Sequence, residues 1–284
     1  MAERLVEIVY NPASGGYRPS DIAALRAAFE ARGARVRLSP TGHEPIVIDP
    51  AADLLCVAGG DGTVRHAALA LHRAGRTLPI AIFPSGTVNL LSREIGKGHA
   101  PEALAARLLG EDRRPAFAVT LNDTLFLACA SVGPEALAVA GVSAALKRRI
   151  GRFAYAAALL PHLGRWPRTP IRIDVAGRRV ACEAFYVARG RYFAGRWIVS
   201  PDAALDRPEM RLVILKTARR RDMARFWMRL ALHRPVADLP FVEEIACTAF
   251  TAEADRPLPV QADGDIAATL PARFALIPEP FRFA

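Results

Sequence analysis

Apolar positions follow two different rhythms along this chain, and the change between them falls near residue 114. From residue 4 to about 110, short apolar runs alternate with helical stripes. Residues 5–10 read as a first strand. Ser20 can cap a helix in which Ile22, Leu25 and Phe29 form an apolar stripe, ending at Gly33. Residues 36–38 read as a short strand, 53–58 as a buried strand and 79–83 as a further strand. A helix over 63–73 carries Val64, Ala67, Ala68 and Leu71 on one side, and helices are expected near 89–95 and 101–109. Such alternation predicts a parallel sheet covered by helices.

Beyond residue 114 the candidate strands come as hairpins. Residues 117–121 pair with 125–130, and 171–175 pair with 180–188 across Ala176-Gly177. Further strands are expected at 211–215, 245–251, 259–262 and 273–277, with helical stretches over 135–160 and 220–233. This grammar predicts a mostly antiparallel β-sandwich. The fold class is therefore α/β: a parallel-sheet domain over residues 1–115, then a β-sandwich domain over residues 116–284.

Composition agrees with a globular protein: 284 residues, 52% hydrophobic and 23% charged. Cys56, Cys129, Cys182 and Cys247 lie far apart in apolar runs, which points to reduced core thiols. The histidines are scattered, so a zinc site is not expected. No signal-peptide pattern precedes the first strand. The longest apolar stretch, residues 126–146, is broken by Pro134-Glu135 and is rejected as a membrane span. The expected location is the cytoplasm. The net charge of +10 is concentrated as arginine in the second half, where nucleic acid and anionic membrane are both chemically suited partners.

Three polar, glycine-bearing segments each follow an expected strand of the first domain: Asn11-Pro12-Ala13-Ser14-Gly15-Gly16, Gly59-Gly60-Asp61-Gly62-Thr63 and Pro84-Ser85-Gly86-Thr87-Val88-Asn89. In a parallel sheet such segments converge on one edge, where open α/β sheets bind ligands. Glycines let backbone N–H groups approach phosphate oxygens, and a helix starting at Thr63 adds its positive end. Asp61 would repel phosphate unless a cation intervenes. It points to Mg²⁺, or to a base acting on an attacking hydroxyl. A lone Gly-Gly-Asp-Gly is equally a surface turn in which Asp61 caps the next helix; the two companion loops argue against that.

In this order and spacing, the three motifs resemble the catalytic domain of the diacylglycerol kinase family, which includes bacterial lipid kinases and the sphingosine and ceramide kinases. The similarity continues through Ser131-x-Gly133, the segment 201–206 and Gln261-Ala262-Asp263-Gly264-Asp265, which looks like the family's Asp-Gly-Glu. The resemblance implies a two-domain fold whose last part returns toward the first domain, with Mg-ATP as phosphoryl donor. Asn11, Ser14, Gly15, Gly59, Gly60, Gly62, Thr63, Ser85, Gly86, Thr87 and Asn89 would contact ATP or order its loops, with Asp265 also on the nucleotide side. Asp61 is the catalytic and metal candidate. Asp263 matches the position of the general base for the acceptor hydroxyl. Asp265 stands where the family usually carries Glu, and Asp263-Gly264 is also a common hairpin turn.

Several family positions are altered. The basic residue often following Asn-Pro-x-Ser-Gly is absent at Gly16, with Arg18 nearby. The usual acidic residue near Phe117 or Ala118 and the Asn expected near Ala128 are missing. Asp206-Arg207-Pro208-Glu209-Met210-Arg211 has lost most carboxylates of the corresponding family stretch. For the lipid side, residues 144–168 and 219–227 combine arginines with aromatic and aliphatic residues, which suits an anionic membrane surface and equally an ordinary helix whose apolar face packs on the sandwich. The expected activity is phosphorylation of a membrane lipid, diacylglycerol by default, by a peripherally membrane-associated enzyme. A ceramide or sphingoid-base acceptor, an NAD kinase and an inactive nucleotide- or lipid-binding relative are the alternatives. No nucleic-acid motif accompanies the charge, so no nucleic-acid partner is expected, and a homodimer stays open.

Overall fold

The computed structural model describes residues 3–42, 44–95, 100–141, 166 and 168–284. The chain divides into two compact units, one of residues 1–116 with 280–284 and one of residues 117–279.

In the first unit, strands β1 (Leu5–Tyr10), β2 (Arg35–Pro40), β3 (Leu54–Gly59) and β4 (Pro79–Pro84) are joined by β5 (Arg114–Ala116) and β18 (Phe281–Phe283). The sheet order is β2-β1-β3-β4-β18-β5. β1, β2, β3 and β4 run parallel, β18 adds in parallel to β4, and β5 closes the edge antiparallel to β18. Helices are α1 (Pro19–Glu30), α2 (Asp61–Arg73), α3 (Leu90–Ile95) and α4 (Pro101–Leu109). Side chains alternate across a strand, so Val6, Ile8, Leu54 and Cys56 face one layer. There they pack with Ile22, Leu25 and Phe29 of α1 and with Leu104 and Leu108 of α4. Leu55 and Val57, of opposite parity and fully buried, belong to the face where α2 packs against β3.

Two starts differ from the sequence expectation. α1 begins at Pro19, after an extended Arg18, and no side chain caps it; Ser20 already lies inside the helix. Proline is pre-set for the first helical position, so the helix starts at Pro19 and the cap place that Ser20 was given falls to Arg18. α2 begins at Asp61, two residues earlier than the apolar stripe suggested, with Gly60 as its extended cap residue.

The second unit holds two six-stranded sheets among the described residues. One orders β10 (Arg178–Cys182), β9 (Ile171–Val175), β14 (Ala249–Ala254), β17 (Ala272–Leu276), β6 (Val119–Leu121) and β7 (Thr124–Phe126). The other orders β13 (Val242–Cys247), β12 (Met210–Leu215), β11 (Ala184–Ala188), β8 (Cys129–Val132), β15 (Pro259–Ala262) and β16 (Asp265–Thr269). Phe250 and Phe274 of the first sheet stack at 4.3 Å, and Phe185 of the second meets both edge-on at 5.7 and 5.8 Å. Edge-to-face and offset pairs are the favoured aromatic geometries, so these rings hold the sandwich core. Helices α5 (Pro134–Gly141) and α6 (Arg220–Ala231) belong to this unit.

Three runs that read as single strands each split between the sheets. The run 125–130 ends β7 and then starts β8, 180–188 divides into β10 and β11, and 245–251 divides into β13 and β14. The pairings 117–121 with 125–130 and 171–175 with 180–188 therefore hold only for their first halves, β6 with β7 and β9 with β10. An unbroken apolar run says that both faces are buried, not which ladder receives its backbone. The expected helix over 135–160 is described only to Gly141; its remainder and most of the basic stretch 144–168 lie outside the described residues.

Candidate functional site

β1, β3 and β4 end on the same edge of the first sheet, so the loops 11–16, 59–63 and 84–89 emerge side by side. Hydrogen bonds tie them together. Ser85 N–H donates to Gly59 O at 3.1 Å, and Gly16 N–H donates to Ser85 O at 2.8 Å. The Ser14 hydroxyl also donates to Ser85 O, while the Ser85 hydroxyl donates to Ser14 Oγ at 3.1 Å. Asn11 Nδ2 reaches Thr63 Oγ1 at 3.5 Å, and Asn11 Oδ1 accepts Ala13 N–H at 2.9 Å. Asn89, in the left-handed region at φ 52, closes its own loop by bonding Gly86 through both ends of its amide, at 3.0 and 2.7 Å. Thr87 is exposed.

Glycine is needed where the second and third loops touch. A Cβ on Gly86 would lie 2.5 Å from Gly60 Cα, a backbone atom that cannot swing aside. The two backbones can meet only because neither residue has a side chain there.

Asp61 occupies the first turn of α2 and turns toward the start of α3. Its Oδ2 accepts Leu90 N–H at 2.9 Å and its Oδ1 accepts Leu91 N–H at 3.0 Å. The side chain is half-buried, and desolvation raises its pKa against the opposing pull of these amides and the Arg93 charge. A carboxylate held at the cost of desolvation is suited to a cation, which restores the charged form. Each of its oxygens keeps a second lone-pair direction after one amide bond. A magnesium ion usually takes one or two carboxylates plus substrate phosphates, so Asp61 fits that role. Among the described residues no group of three or more His, Cys, Asp or Glu side chains is gathered to hold a metal by itself.

Twelve of the candidate residues are thus gathered in the first unit: Asn11, Ser14, Gly15, Gly59, Gly60, Asp61, Gly62, Thr63, Ser85, Gly86, Thr87 and Asn89. Asp263 and Asp265 belong to the second unit, Asp263 on the turn between β15 and β16 and Asp265 just after it. Asp263 is 5% exposed, at φ 47, and is followed by Gly264 at φ 89. Its Oδ2 accepts Leu127 N–H at 2.8 Å, and its Oδ1 accepts the N–H groups of Ala128 and Cys129 at 2.9 and 3.0 Å. Those amides sit where the chain leaves β7 for β8, so the carboxylate replaces the ladder that the switch interrupts. Asp265, the first residue of β16, is half-buried and lies opposite Ala262.

Sequence reasoning missed a polar cluster inside the second unit. Glu135 is 9% exposed in the first turn of α5, and its Oε2 accepts the Tyr186 hydroxyl at 2.8 Å. Burial raises the Glu135 pKa, and burial followed by the neighbouring carboxylate raises that of Tyr186. The Ser131 hydroxyl donates to Gln261 Oε1 at 3.1 Å across the β8–β15 pair. Gly133 leaves room for this cluster, since a Cβ there would lie 2.6 Å from the Glu135 carboxylate. The sequence had marked Ser131, Gly133 and Gln261 only as family positions, and Glu135 only as part of a Pro-Glu break in an apolar run. Arg189, 1% exposed, donates to the carbonyls of Phe117, Leu205 and Arg207 and so shapes the segment that departs from the family pattern.

Comparison with known proteins extends over both units. The family model of the Diacylglycerol kinase catalytic domain matches residues 6–121, and that of the YegS C-terminal NAD kinase beta sandwich-like domain matches residues 128–284. A Pseudomonas aeruginosa protein named "Probable lipid kinase YegS-like" is 32% identical over 57% of this chain and 54% of its own length. The chain thus spans about half the length of that relative. The protein named "Diacylglycerol kinase" in Staphylococcus carnosus is 25% identical over 94% of this chain and 90% of its own. A solved diacylglycerol kinase structure from Bacillus anthracis matches with a TM-score of 0.77 at 19% identity, covering 99% of this chain and 96% of that one. At that identity the likeness shows the fold.

Proposed function

The chain belongs to the diacylglycerol kinase family, and on that premise we propose that it transfers the γ-phosphoryl group of Mg-ATP to the hydroxyl of a membrane lipid, with diacylglycerol as acceptor. The observation that carries this reading is the joining of three glycine-bearing loops on one sheet edge, with Asp61 anchored beside them. Phosphoryl transfer needs positioning and charge neutralisation more than covalent catalysis. Backbone N–H groups of the loops 59–63 and 84–89, with the first turn of α2, suit the phosphates. Asn11, Ser14, Ser85, Thr63 and Asn89 hold those loops in register, and Thr87 is exposed. Asp61 would hold the Mg²⁺, which supplies neutralisation of the phosphate charge.

For the acceptor, the family resemblance assigns Asp263 the role of general base. The acceptor oxygen forms its bond to phosphorus as the bond from phosphorus to the ADP oxygen breaks, and its proton passes to the carboxylate. Three backbone amides fix the orientation of that carboxylate. The same bonds also favour a second reading, in which Asp263 is a structural anchor and the chain binds nucleotide without transferring phosphate. An anionic bilayer is the proposed source of the acceptor.

The test is ATP-dependent labelling of a mixed lipid pool, with products identified by mass spectrometry. The expected product is phosphatidic acid, absent with Asp61→Ala. A ceramide or sphingoid-base phosphate would reassign the acceptor, and phosphorylation of NAD alone would overturn the reading. Nucleotide binding with no product from any lipid class would establish the second reading.

A further inference from the structure

α6 is amphipathic in an unusual way. Its buried stripe, Asp222, Met223, Phe226 and Leu230, packs into the second unit, and the Thr217 hydroxyl holds Asp222 at 2.7 Å. The opposite line runs Arg221, Arg225, Met228 and Leu232, spaced by four, three and four residues, so these side chains share one face. Arg221 and Arg225 are exposed, and Met228 and Leu232 remain 57% and 58% exposed among the described residues. Met228 and Leu232 are neighbours on the helix face, four residues apart, and adjoining exposed apolar side chains rimmed by charge mark interaction sites more than singly scattered ones do.

The surrounding charge is predominantly positive. From residue 219 to 238 the chain carries six arginines and two aspartates. Asp222 is buried on Thr217 with Arg221 at 3.7 Å, and Asp238 is paired with Arg229 at 3.4 Å. At the first turn a cavity of about 500 Å³ is lined by Arg219, Arg221 and Arg225, with one carboxylate, Asp222, beside Pro240 and Phe241. Guanidinium groups suit phosphate oxygens, and the adjoining aliphatic residues suit a hydrocarbon phase. A nucleic-acid backbone offers the first of these and not the second. An anionic bilayer offers both.

We propose that the exposed face of α6 is a docking surface for an anionic phospholipid bilayer, with Arg219, Arg221 and Arg225 at the headgroups and Met228 and Leu232 inserted beneath them. This deepens the lipid-kinase reading by naming the face that would meet the acceptor's membrane, yet docking is measured without phosphoryl transfer. The two readings therefore fail separately.

The experiment is co-sedimentation of the full chain with phosphatidylcholine vesicles, with and without phosphatidylglycerol. Binding is expected only to the anionic vesicles. Arg221→Gln with Arg225→Gln should weaken it roughly thirtyfold, about fivefold for each basic residue near the surface. Met228→Ser with Leu232→Ser should weaken it on the order of tenfold through lost apolar burial. Both pairs are surface changes, and circular dichroism checks that they fold. Arg26→Gln with Arg35→Gln removes the same charge from exposed sites of the first unit and should leave binding unchanged. Three outcomes overturn the proposal: equal binding to neutral vesicles, unchanged binding by both α6 pairs, or an equal loss in the first-unit control. Binding to duplex DNA in place of vesicles would overturn it as well.

Discussion

Asp61 accepts the backbone N–H of Leu90 at 2.9 Å, so the residue that opens α2 also anchors the start of α3. The bond, with its neighbour to Leu91, joins the glycine loop after β3 to the loop after β4.

Removing this anchor should separate structure from activity. Asp61→Ala leaves two helix-start amides without their acceptor and is expected to cost about 1–3 kcal/mol in urea unfolding. Asp61→Asn keeps one acceptor oxygen and should stay within about 1 kcal/mol of the parent. Both should lower ATP-dependent lipid labelling roughly 100-fold or more. A folded Asp61→Asn protein with parental activity would remove Asp61 from the chemistry.

The glycines of the edge should differ sharply. Gly86→Ala drives a methyl against Gly60 Cα, and overpacking of that kind costs about 1–3 kcal/mol. Gly15 has open space where a Cβ would stand, so Gly15→Ala should unfold like the parent. If Gly15 lets the backbone approach phosphate, the same variant should bind ATP more weakly in calorimetry. Equal unfolding midpoints for the two variants would refute the close contact of the loops.

Asp263 carries a different load. Asp263→Ala strips three amides of their acceptor and leaves an alanine at φ 47, so a loss of about 3 kcal/mol or more is expected. Asp263→Asn tolerates the left-handed turn and keeps one acceptor, and should fold. An inactive but folded Asp263→Asn protein supports the general-base role. Retained labelling makes the residue an anchor alone.

Glu135 gives the chain a pH dependence of definite sign. Its folded pKa is raised by burial above the ordinary glutamate value of about 4.3. The unfolded chain therefore releases this proton first as pH rises, and the folded state loses stability through that interval. The contribution is fully present below about pH 4.3 and is lost as pH climbs through the raised folded value. Glu135→Gln removes the titration while keeping an acceptor for Tyr186. The variant should match the parent near pH 4 and exceed it in stability near pH 8, measured by thermal unfolding at each pH. A constant difference across that range would show that Glu135 does not titrate as its burial implies.

Much of the first unit was legible because its signals are local. Strands β1 to β4 and the apolar stripes of α1 and α2 follow from periodicity, and glycine placement marked the loops that a parallel sheet must bring to one edge. The second unit was less legible. The run Leu125-Phe126-Leu127-Ala128-Cys129-Ala130 looks uniform, yet its backbone changes sheets midway, and the reason is a carboxylate some 135 residues later. β18 was likewise unforeseen as an element, since three residues carry no period.

The sequence by itself determined the fold class and the family, because hydrophobic rhythm and glycine spacing are written in neighbouring residues. Only the tertiary structure decided what the carboxylates do. Asp61 faces the start of α3, Asp263 holds the crossing from β7 to β8, and Glu135 is buried on Tyr186. Each depends on which distant backbone or hydroxyl group comes to rest beside it, and burial then sets the cost of its charge.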